Sequence, residues 1–134
     1  MPFKLSFRKK GDVALYEIEY YVDKKGKSPI REFILGLAAK NDKDSRIRLN
    51  KIRDYVKALS EHGATLGEPY MKKIGGKLWE LRPLSDRILF AAWTGKGYVL
   101  LSHFVKKTQK TPPAEIEKAE RFLKDFLEGS EDNA

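Results

Sequence analysis

Residues 77–105 read KLWELRPLSDRILFAAWTGKGYVLLSHFV, in which three largely apolar runs are divided by two short turn sequences. The runs cover residues 77–82, 87–94 and 98–105, and the turns are Pro-Leu-Ser-Asp at 83–86 and Gly-Lys-Gly at 95–97. Proline, glycine, serine and aspartate favour tight turns, and tight turns join antiparallel strands. This segment therefore predicts a three-stranded antiparallel meander.

The residues before the meander predict one strand followed by two helices. Residues 16–22 mix aromatic and branched side chains with two glutamates, which is typical of a half-buried strand. Ser28 and Pro29 suit the N-cap and the first position of a helix, and apolar residues then recur at helical spacing. A second helix is predicted to begin near residue 41 or 42 and to end at Gly63, so that the two helices form a hairpin.

The residues after the meander predict a last helix and a short tail. Thr111 and the two prolines that follow it suit a helix start, and apolar side chains recur every three or four residues up to Phe126. Gly129 is predicted to end this helix, and residues 129–134 are predicted to form a disordered tail. The whole pattern predicts a single α+β domain spanning residues 1–134. In it, an antiparallel sheet of the N-terminal strand and the meander is packed by the helical hairpin and the C-terminal helix.

Positive charge is concentrated in the middle of the chain. The formal net charge is +8, and residues 70–111 hold nine Lys and Arg against two acidic residues. A field of this kind attracts polyanions. Nucleic acid is therefore favoured as a ligand over the alternative that the charge serves solubility alone.

Several classes of protein are excluded by what the sequence lacks. There is no cysteine, so disulfides, CxxC redox chemistry and cysteine zinc sites are ruled out. The motifs GxxxxGKS, GxGxxG, HExxH and GxSxG are missing, and neither a metal nor a cofactor is predicted. No run approaches the roughly 20 apolar residues of a membrane span, and acidic residues stand where a signal peptide has its apolar core. We therefore expect a cytoplasmic protein without membrane contact.

Two arginines flank the first turn of the meander. Arg82 and Arg87 are separated by four residues, so the hairpin is expected to bring both guanidinium groups toward one anion. The alternative is that both are solvated residues at the edge of a turn. Glu80 alternates with Arg82 along the same strand face, and it is predicted to orient that arginine through a salt bridge rather than to act as a base.

Three lysines, Lys106, Lys107 and Lys110, follow the last strand of the meander and are expected to share a surface with the arginines. Like charges at short range disfavour the protonated form, so one of these lysines is a candidate proton acceptor. The alternative for each is a solvated position in a basic loop. His103 fits a satisfied core or edge histidine better than a catalyst, whereas Trp93, which precedes a turn, is the best candidate for stacking on a base.

Three parts of the chain resemble one protein family. The segments GKLWELR at 76–82, RILF at 87–90 and LLSHFVKKTQKTP at 100–112 are similar to toxins of the RelE/ParE superfamily, specifically its HigB-like, phage Gp49-related branch. The resemblance covers residues 16–128 and is most specific in FVKKTQKTP. It implies a RelE-like fold and a bacterial type II toxin that cleaves messenger RNA, generally on the ribosome. Such a toxin is held inactive in a hetero-oligomer by an antitoxin encoded beside it, here expected to contain a helix-turn-helix.

The resemblance also implies roles for the residues of the basic region in a metal-independent endoribonuclease. The 2′-hydroxyl attacks the adjacent phosphate, and this reaction needs a base, cations and an acid. Arg82 and Arg87 would stabilise charge, and Lys106 or Lys107 would hold the phosphate or move a proton. The residues predicted to bind RNA around them, with Glu80 in support, are Lys72, Lys73, Lys77, Trp93, His103 and Lys110.

The chain departs from the pattern of this family at two places. Many relatives have histidine where this chain has Ser102, and tyrosine near the positions of Phe90 or Ala92. Two other functions therefore stay open, because a fold alone does not fix the activity. One is a ParE-like inhibitor that binds DNA gyrase without cleaving RNA, and the other is an RNA-binding relative without turnover.

Overall fold

The computed structural model describes residues 15–132, which form five strands and three α-helices. In chain order they are β1 (Glu17–Tyr20), α1 (Pro29–Ala39), α2 (Lys43–His62), β2 (Met71–Gly75), β3 (Leu78–Leu81), β4 (Asp86–Trp93), β5 (Gly97–Val105) and α3 (Pro113–Asp132). A short 3-10 helix, Gly63–Leu66, follows α2. The predicted α+β class and the three strands of the meander are confirmed.

The strands form one sheet in the order β1-β5-β4-β3-β2. Neighbouring strands are antiparallel except at one edge, where β1 runs parallel to β5. The sheet is thus mostly antiparallel. Two points differ from the prediction: the N-terminal strand β1 is parallel to its neighbour, and the sheet has one more strand than the sequence predicts. The additional strand is β2, at the other edge, where the sequence indicates only a loop and a glycine turn. Its pattern was missed because Lys72 and Lys73 are both exposed, so the strand lacks the alternation of a half-buried one.

The helix boundaries follow the capping residues that the sequence predicts. Ser28 Oγ accepts a hydrogen bond from the backbone N–H of Arg31 at 3.3 Å, and Asp42 Oδ1 accepts one from Ser45 at 2.8 Å. Gly63 ends α2 with a φ of 59°, and a Cβ at this position would come within 3 Å of the Tyr16 ring and the Tyr98 hydroxyl. Glycine is required there both by conformation and by space.

The predicted end of the last helix is wrong, because α3 continues through Gly129 to Asp132. Part of the predicted disordered tail is therefore helical. Residues 133 and 134 lie outside the described residues. None of the described helices combines the length and the apolar character that a membrane span requires.

Helices cover both faces of the sheet. On one face α1 and α2 pack against a core cluster that includes Ile88 and Phe90, and on the other α3 packs against a cluster that includes Leu89 and Ala91. Successive side chains of a strand point to opposite faces, so β4 reads as a continuous apolar run because it is buried on both sides. The same alternation places Arg87 on the α3 face and Asp86 on the face of the helical hairpin.

Candidate active site

A buried carboxylate lies at the centre of the residues that the sequence singles out. Glu80 is 3% exposed, and its Oε2 accepts a hydrogen bond of 2.6 Å from the Thr111 hydroxyl. Its other oxygen, Oε1, lies 3.5 Å from Arg82 Nε and 3.6 Å from Arg87 Nε. The salt bridge predicted between Glu80 and Arg82 is present, and the two guanidinium groups converge on one anion. Burial of this charge is offset by the two cations and the hydroxyl donor.

Arg87 is the fixed member of the pair. It is 6% exposed, and its Nη1 donates hydrogen bonds to the main-chain oxygens of Leu84 at 2.7 Å and Asp86 at 2.9 Å. Burial lowers the pKa of this guanidinium, and the charge of Arg82 lowers it further. Arginine remains protonated in such a setting because its ordinary pKa is so high. The turn between β3 and β4 therefore holds a permanent positive charge in one position.

Arg82 is the more accessible of the two arginines. It directly follows β3, its main-chain N–H donates to the Tyr70 carbonyl at 2.9 Å, and its side chain is 23% exposed. The buried Nε donates no hydrogen bond to any residue between 15 and 132, and its contact with Glu80 is longer than an ordinary hydrogen bond. Because its side chain is partly exposed and makes no short hydrogen bond within residues 15–132, Arg82 is the arginine of the pair that an incoming anion can reach.

A cleft of about 190 Å³ opens beside Glu80 and Arg82. Its lining comes from β2, β3, the loop before α3 and α3 itself: Lys72, Lys73, Ile74, Glu80, Arg82, Gln109, Lys110, Thr111 and Ile116. Four of these residues are cations against one carboxylate that is already paired. The cleft therefore has an excess of positive charge and suits a phosphodiester better than a neutral ligand.

The lysines predicted for the site fall into two groups, one that lines this cleft and one that lies outside it. Lys72 stands directly opposite Glu80 in the β2–β3 register, and Lys110 lines the cleft. Lys106 and Lys107 lie beyond the end of β5, where the Lys106 N–H donates to the carbonyl of Ser85 at 2.8 Å. Lys106 therefore lies beside the turn between β3 and β4, with Lys107 next in the chain, and neither is among the described residues that line the cleft.

Two further lysines of the predicted set lie along the edge hairpin of β2 and β3. Lys73 also lines the cleft, and its ammonium group is 5.9 Å from the centre of the Trp79 ring. Lys77 is exposed in the turn between the two strands.

The structure places His103 and Trp93 away from Glu80. His103 lies on the face of the helical hairpin, where its ring stacks on Phe33 with centres 3.4 Å apart. Trp93 is at the opposite end of β4 from Arg87, and its ring meets Phe126 of α3 edge to face at 5.2 Å. Neither side chain belongs to the cluster formed by Glu80, Arg82 and Arg87.

A second ionic cluster lies on the reverse face, centred on Asp86. This carboxylate is 1% exposed and accepts hydrogen bonds from Arg48 Nε at 3.0 Å and Arg48 Nη2 at 2.7 Å, with His103 Nε2 2.8 Å from Oδ1. Burial would raise its pKa, but the hydrogen bonds of His103 and Arg48 outweigh burial and lower the pKa of Asp86 to about 2. The cluster ties α2 and β5 to the start of β4.

Sequence reasoning gave no site role to Thr111, Gln109, Arg48 or Asp86, the last of which it placed only in a turn. Thr111 and Gln109 stand inside the segment FVKKTQKTP. This segment indicates that the region is functional, but it does not predict which residues these two side chains contact. Arg48 gave no signal, because 38 residues separate it from Asp86. Among the described residues, no group of three His, Cys, Asp or Glu side chains comes together as a metal site.

Ser102 occupies a position in line with the site. It pairs with Leu89, which pairs with Glu80, so Ser102 and Glu80 stand two strands apart, about 10 Å. The Ser102 hydroxyl is buried and has no hydrogen-bond partner among residues 15–132. A group able to exchange protons at this position would face the same side of the sheet as Glu80, whereas His103 faces the other.

Comparison with known protein families identifies the family of this chain. Residues 40–124 match the family described as phage-derived protein Gp49-like (DUF891). The chain belongs to this family, which is toxin-like and part of the RelE/toxin-like superfamily. A comparison with curated protein sequences gives no match.

Proposed function

We propose that this protein is the HigB-like toxin of a type II toxin-antitoxin system and that it cleaves messenger RNA on the ribosome without a metal ion. Membership of a toxin-like family supports the toxin assignment. The observation that carries the proposed chemistry is the pair of guanidinium groups converging on Glu80 beside a basic cleft. An antitoxin is the expected partner, and its complex with the toxin is the inactive form.

The proposed reaction is an attack of the RNA 2′-hydroxyl oxygen on the adjacent phosphorus. The new P–O2′ bond forms as the P–O5′ bond breaks, the proton of the 2′-hydroxyl passes to a base, and the leaving 5′ oxygen takes a proton. The products are a 2′,3′-cyclic phosphate and a 5′-hydroxyl. Charge builds up on the non-bridging oxygens in the transition state, and preorganised cations stabilise it there.

The exposure and hydrogen bonding of each residue indicate which part of the reaction it performs. The Arg82 side chain is partly exposed and makes no short hydrogen bond within residues 15–132, so it contacts the phosphate, while Arg87 supplies a fixed positive charge behind it. Glu80 is engaged by Thr111 and both arginines, so it positions these groups and does not act as the base. Lys110, which lines the cleft, holds the phosphate. Lys106 or Lys107, which follow β5 outside the cleft lining, would hold the phosphate or move the proton from the side of the β3–β4 turn.

The test is to induce the protein and map messenger RNA 5′ ends with and without translation. We expect new ends that depend on translation, and their loss in the double variant Arg82→Ala, Lys107→Ala. The matched control is Lys24→Ala with Lys25→Ala, which removes the same charge from an exposed loop between β1 and α1. Full toxicity of the Arg82 and Lys107 variant, with the fold intact, would reject the assigned site.

A second candidate function is RNA binding without turnover. It is favoured by one observation, the buried Ser102 hydroxyl at a position where many relatives have histidine. This candidate predicts translation arrest without new 5′ ends. Inhibition of gyrase in the manner of ParE predicts neither cuts nor RNA binding, and a DNA supercoiling assay would detect it.

A further inference from the structure

Two tyrosines, Tyr70 next to Arg82 and Tyr55 in contact with Tyr70, have no role in the sequence-based predictions. Tyr70 stands immediately before β2, and it is 40% exposed. Its ring meets that of Tyr55 of α2 edge to face, with centres 5.1 Å apart and planes at 61°. Tyr55 is half-buried and packs against the core of the helical hairpin. The exposed ring of Tyr70 thus packs against the half-buried ring of Tyr55, which contacts the hydrophobic core.

Tyr70 and Arg82 are neighbours at one edge of the molecule. The carbonyl of Tyr70 accepts the hydrogen bond of the Arg82 N–H at 2.9 Å, so the two residues are opposite each other on neighbouring segments. A nucleotide whose phosphate is held by Arg82 would therefore bring its sugar and base near the exposed ring.

A single exposed apolar side chain is common on protein surfaces and needs no function. Tyr70 differs from such a residue because a second aromatic ring supports it and because cations for a phosphate stand next to it. Proteins that bind single-stranded RNA combine these two features, with aromatic rings for the bases and a basic groove for the backbone. A ring already packed on one side also loses little freedom when a base stacks on the other.

We propose that Tyr70, supported by Tyr55, stacks on a base of the single-stranded RNA whose phosphate binds Arg82. This inference rests on the proposed function and deepens it, because it assigns the base-binding part of the same site. It also replaces Trp93 as the stacking residue, since the Trp93 ring is packed against Phe126 of α3.

The test measures binding rather than cleavage. The full chain is titrated into a short single-stranded RNA with a fluorescent label and with 2′-O-methyl groups that block the nucleophile, and fluorescence anisotropy gives the Kd. We expect Tyr70→Leu and Tyr70→Ala each to raise the Kd about tenfold, and Tyr70→Trp to keep it within about threefold. Leucine keeps the apolar contact with Tyr55 but offers no aromatic face.

Salt dependence separates stacking from charge. A lost phosphate contact reduces the slope of log Kd against log salt by about one, so Arg82→Ala should flatten the slope while Tyr70→Leu leaves it unchanged. Removing the base at one position of the RNA should weaken binding by the wild type, and it should cost nothing further in Tyr70→Leu. The thermal unfolding midpoint of each variant confirms that the fold is intact.

The outcomes for the two proposals are distinct. Equal Kd values for wild type and Tyr70→Leu, an abasic penalty that persists in Tyr70→Leu, or no binding of the RNA by the wild type would overturn the stacking site. Binding with these expected differences, but without new 5′ ends in cells, would reject the endoribonuclease and leave the stacking site standing.

Discussion

Two ionic clusters lie on opposite faces of the sheet, and consecutive residues of β4, Asp86 and Arg87, belong one to each. On the hairpin face, Asp86 makes contacts of 2.7, 2.8 and 3.0 Å with Arg48 and His103. On the α3 face, Glu80 has one short hydrogen bond, from Thr111, and stands 3.5 and 3.6 Å from its two arginines. We call the Asp86 cluster saturated, because its carboxylate is held by short contacts to both partners, and the Glu80 cluster open, because its contacts to both arginines are long. An accessible arginine next to a cleft, rather than the presence of buried charge, therefore marks the candidate site.

The largest expected effect is on stability and concerns the saturated cluster. Asp86→Asn should lower the free energy of unfolding by roughly 3 kcal/mol, because Arg48 and His103 lose the charge that their positions are built around. Urea unfolding measures the change, and Asp54→Asn at an exposed position of α2 is the control, with an expected effect within about 0.5 kcal/mol. A loss below about 1 kcal/mol would show that the cluster does not hold the fold together.

The next effect is on activity and concerns the open cluster. Arg82→Ala should reduce cleavage at least about 100-fold, which is typical of removing one donor that stabilises transition-state charge. Its free energy of unfolding should change by less than about 1 kcal/mol, since the side chain makes no short ion pair within the described residues. Arg82→Lys should stay impaired, because lysine cannot offer two parallel donors. If Arg82→Ala failed to fold, the open cluster would also be needed for stability, and the proposed difference between the two clusters would be wrong.

A third prediction uses the acid limb of the stability curve. The pKa of Asp86 falls from its ordinary 3.8 to about 2 in the folded protein. Its contribution, about 2 kcal/mol, is therefore complete above pH 4 and is lost as the pH falls from about 4 to about 2. Unfolding measured at several pH values should show this loss in the wild type. In Asp86→Asn this part of the acid limb should be absent, and an unchanged acid limb in that variant would contradict the assignment.

The smallest effect concerns the one short hydrogen bond of Glu80. Thr111→Val keeps the shape of the side chain and removes the donor, so we expect a loss of about 1 kcal/mol in the free energy of unfolding. Cleavage should fall only a few-fold, because both arginines still hold Glu80. Thr111→Ser, which keeps the hydroxyl, is the control and should restore both values. A loss of activity as large as that of Arg82→Ala would mean that Thr111 acts on the RNA itself.

The sequence predicts the open cluster better than the saturated one. Arg82 and Arg87 could be placed together because a turn of four residues joins them, and Glu80 because strand residues two apart share a face. The contact between Arg48 and Asp86 depends instead on how α2 packs across the sheet, which no local pattern encodes. β2 was missed because its exposed lysines hide the strand period.

The aromatic residues show the same limit. Trp93 was chosen as a stacking residue because it precedes a turn, yet α3 covers it, and the sequence gives no sign of which face a long C-terminal helix will cover. Tyr70 was overlooked because its surroundings come from α2 and β3, which are distant in sequence.

The parallel pairing of β1 with β5 joins residues that are far apart in the sequence, and this affects when the protein can fold. Glu17 of β1 is aligned with Gly97 of β5, a closure over about 80 residues, and long-range pairings of this kind form slowly because the chain entropy must be lost first. Thr111 reaches Glu80 from still later in the chain. A nascent or truncated polypeptide that ends before this threonine lacks the hydrogen bond to Glu80 and part of the cleft lining, so the complete site requires synthesis past residue 111.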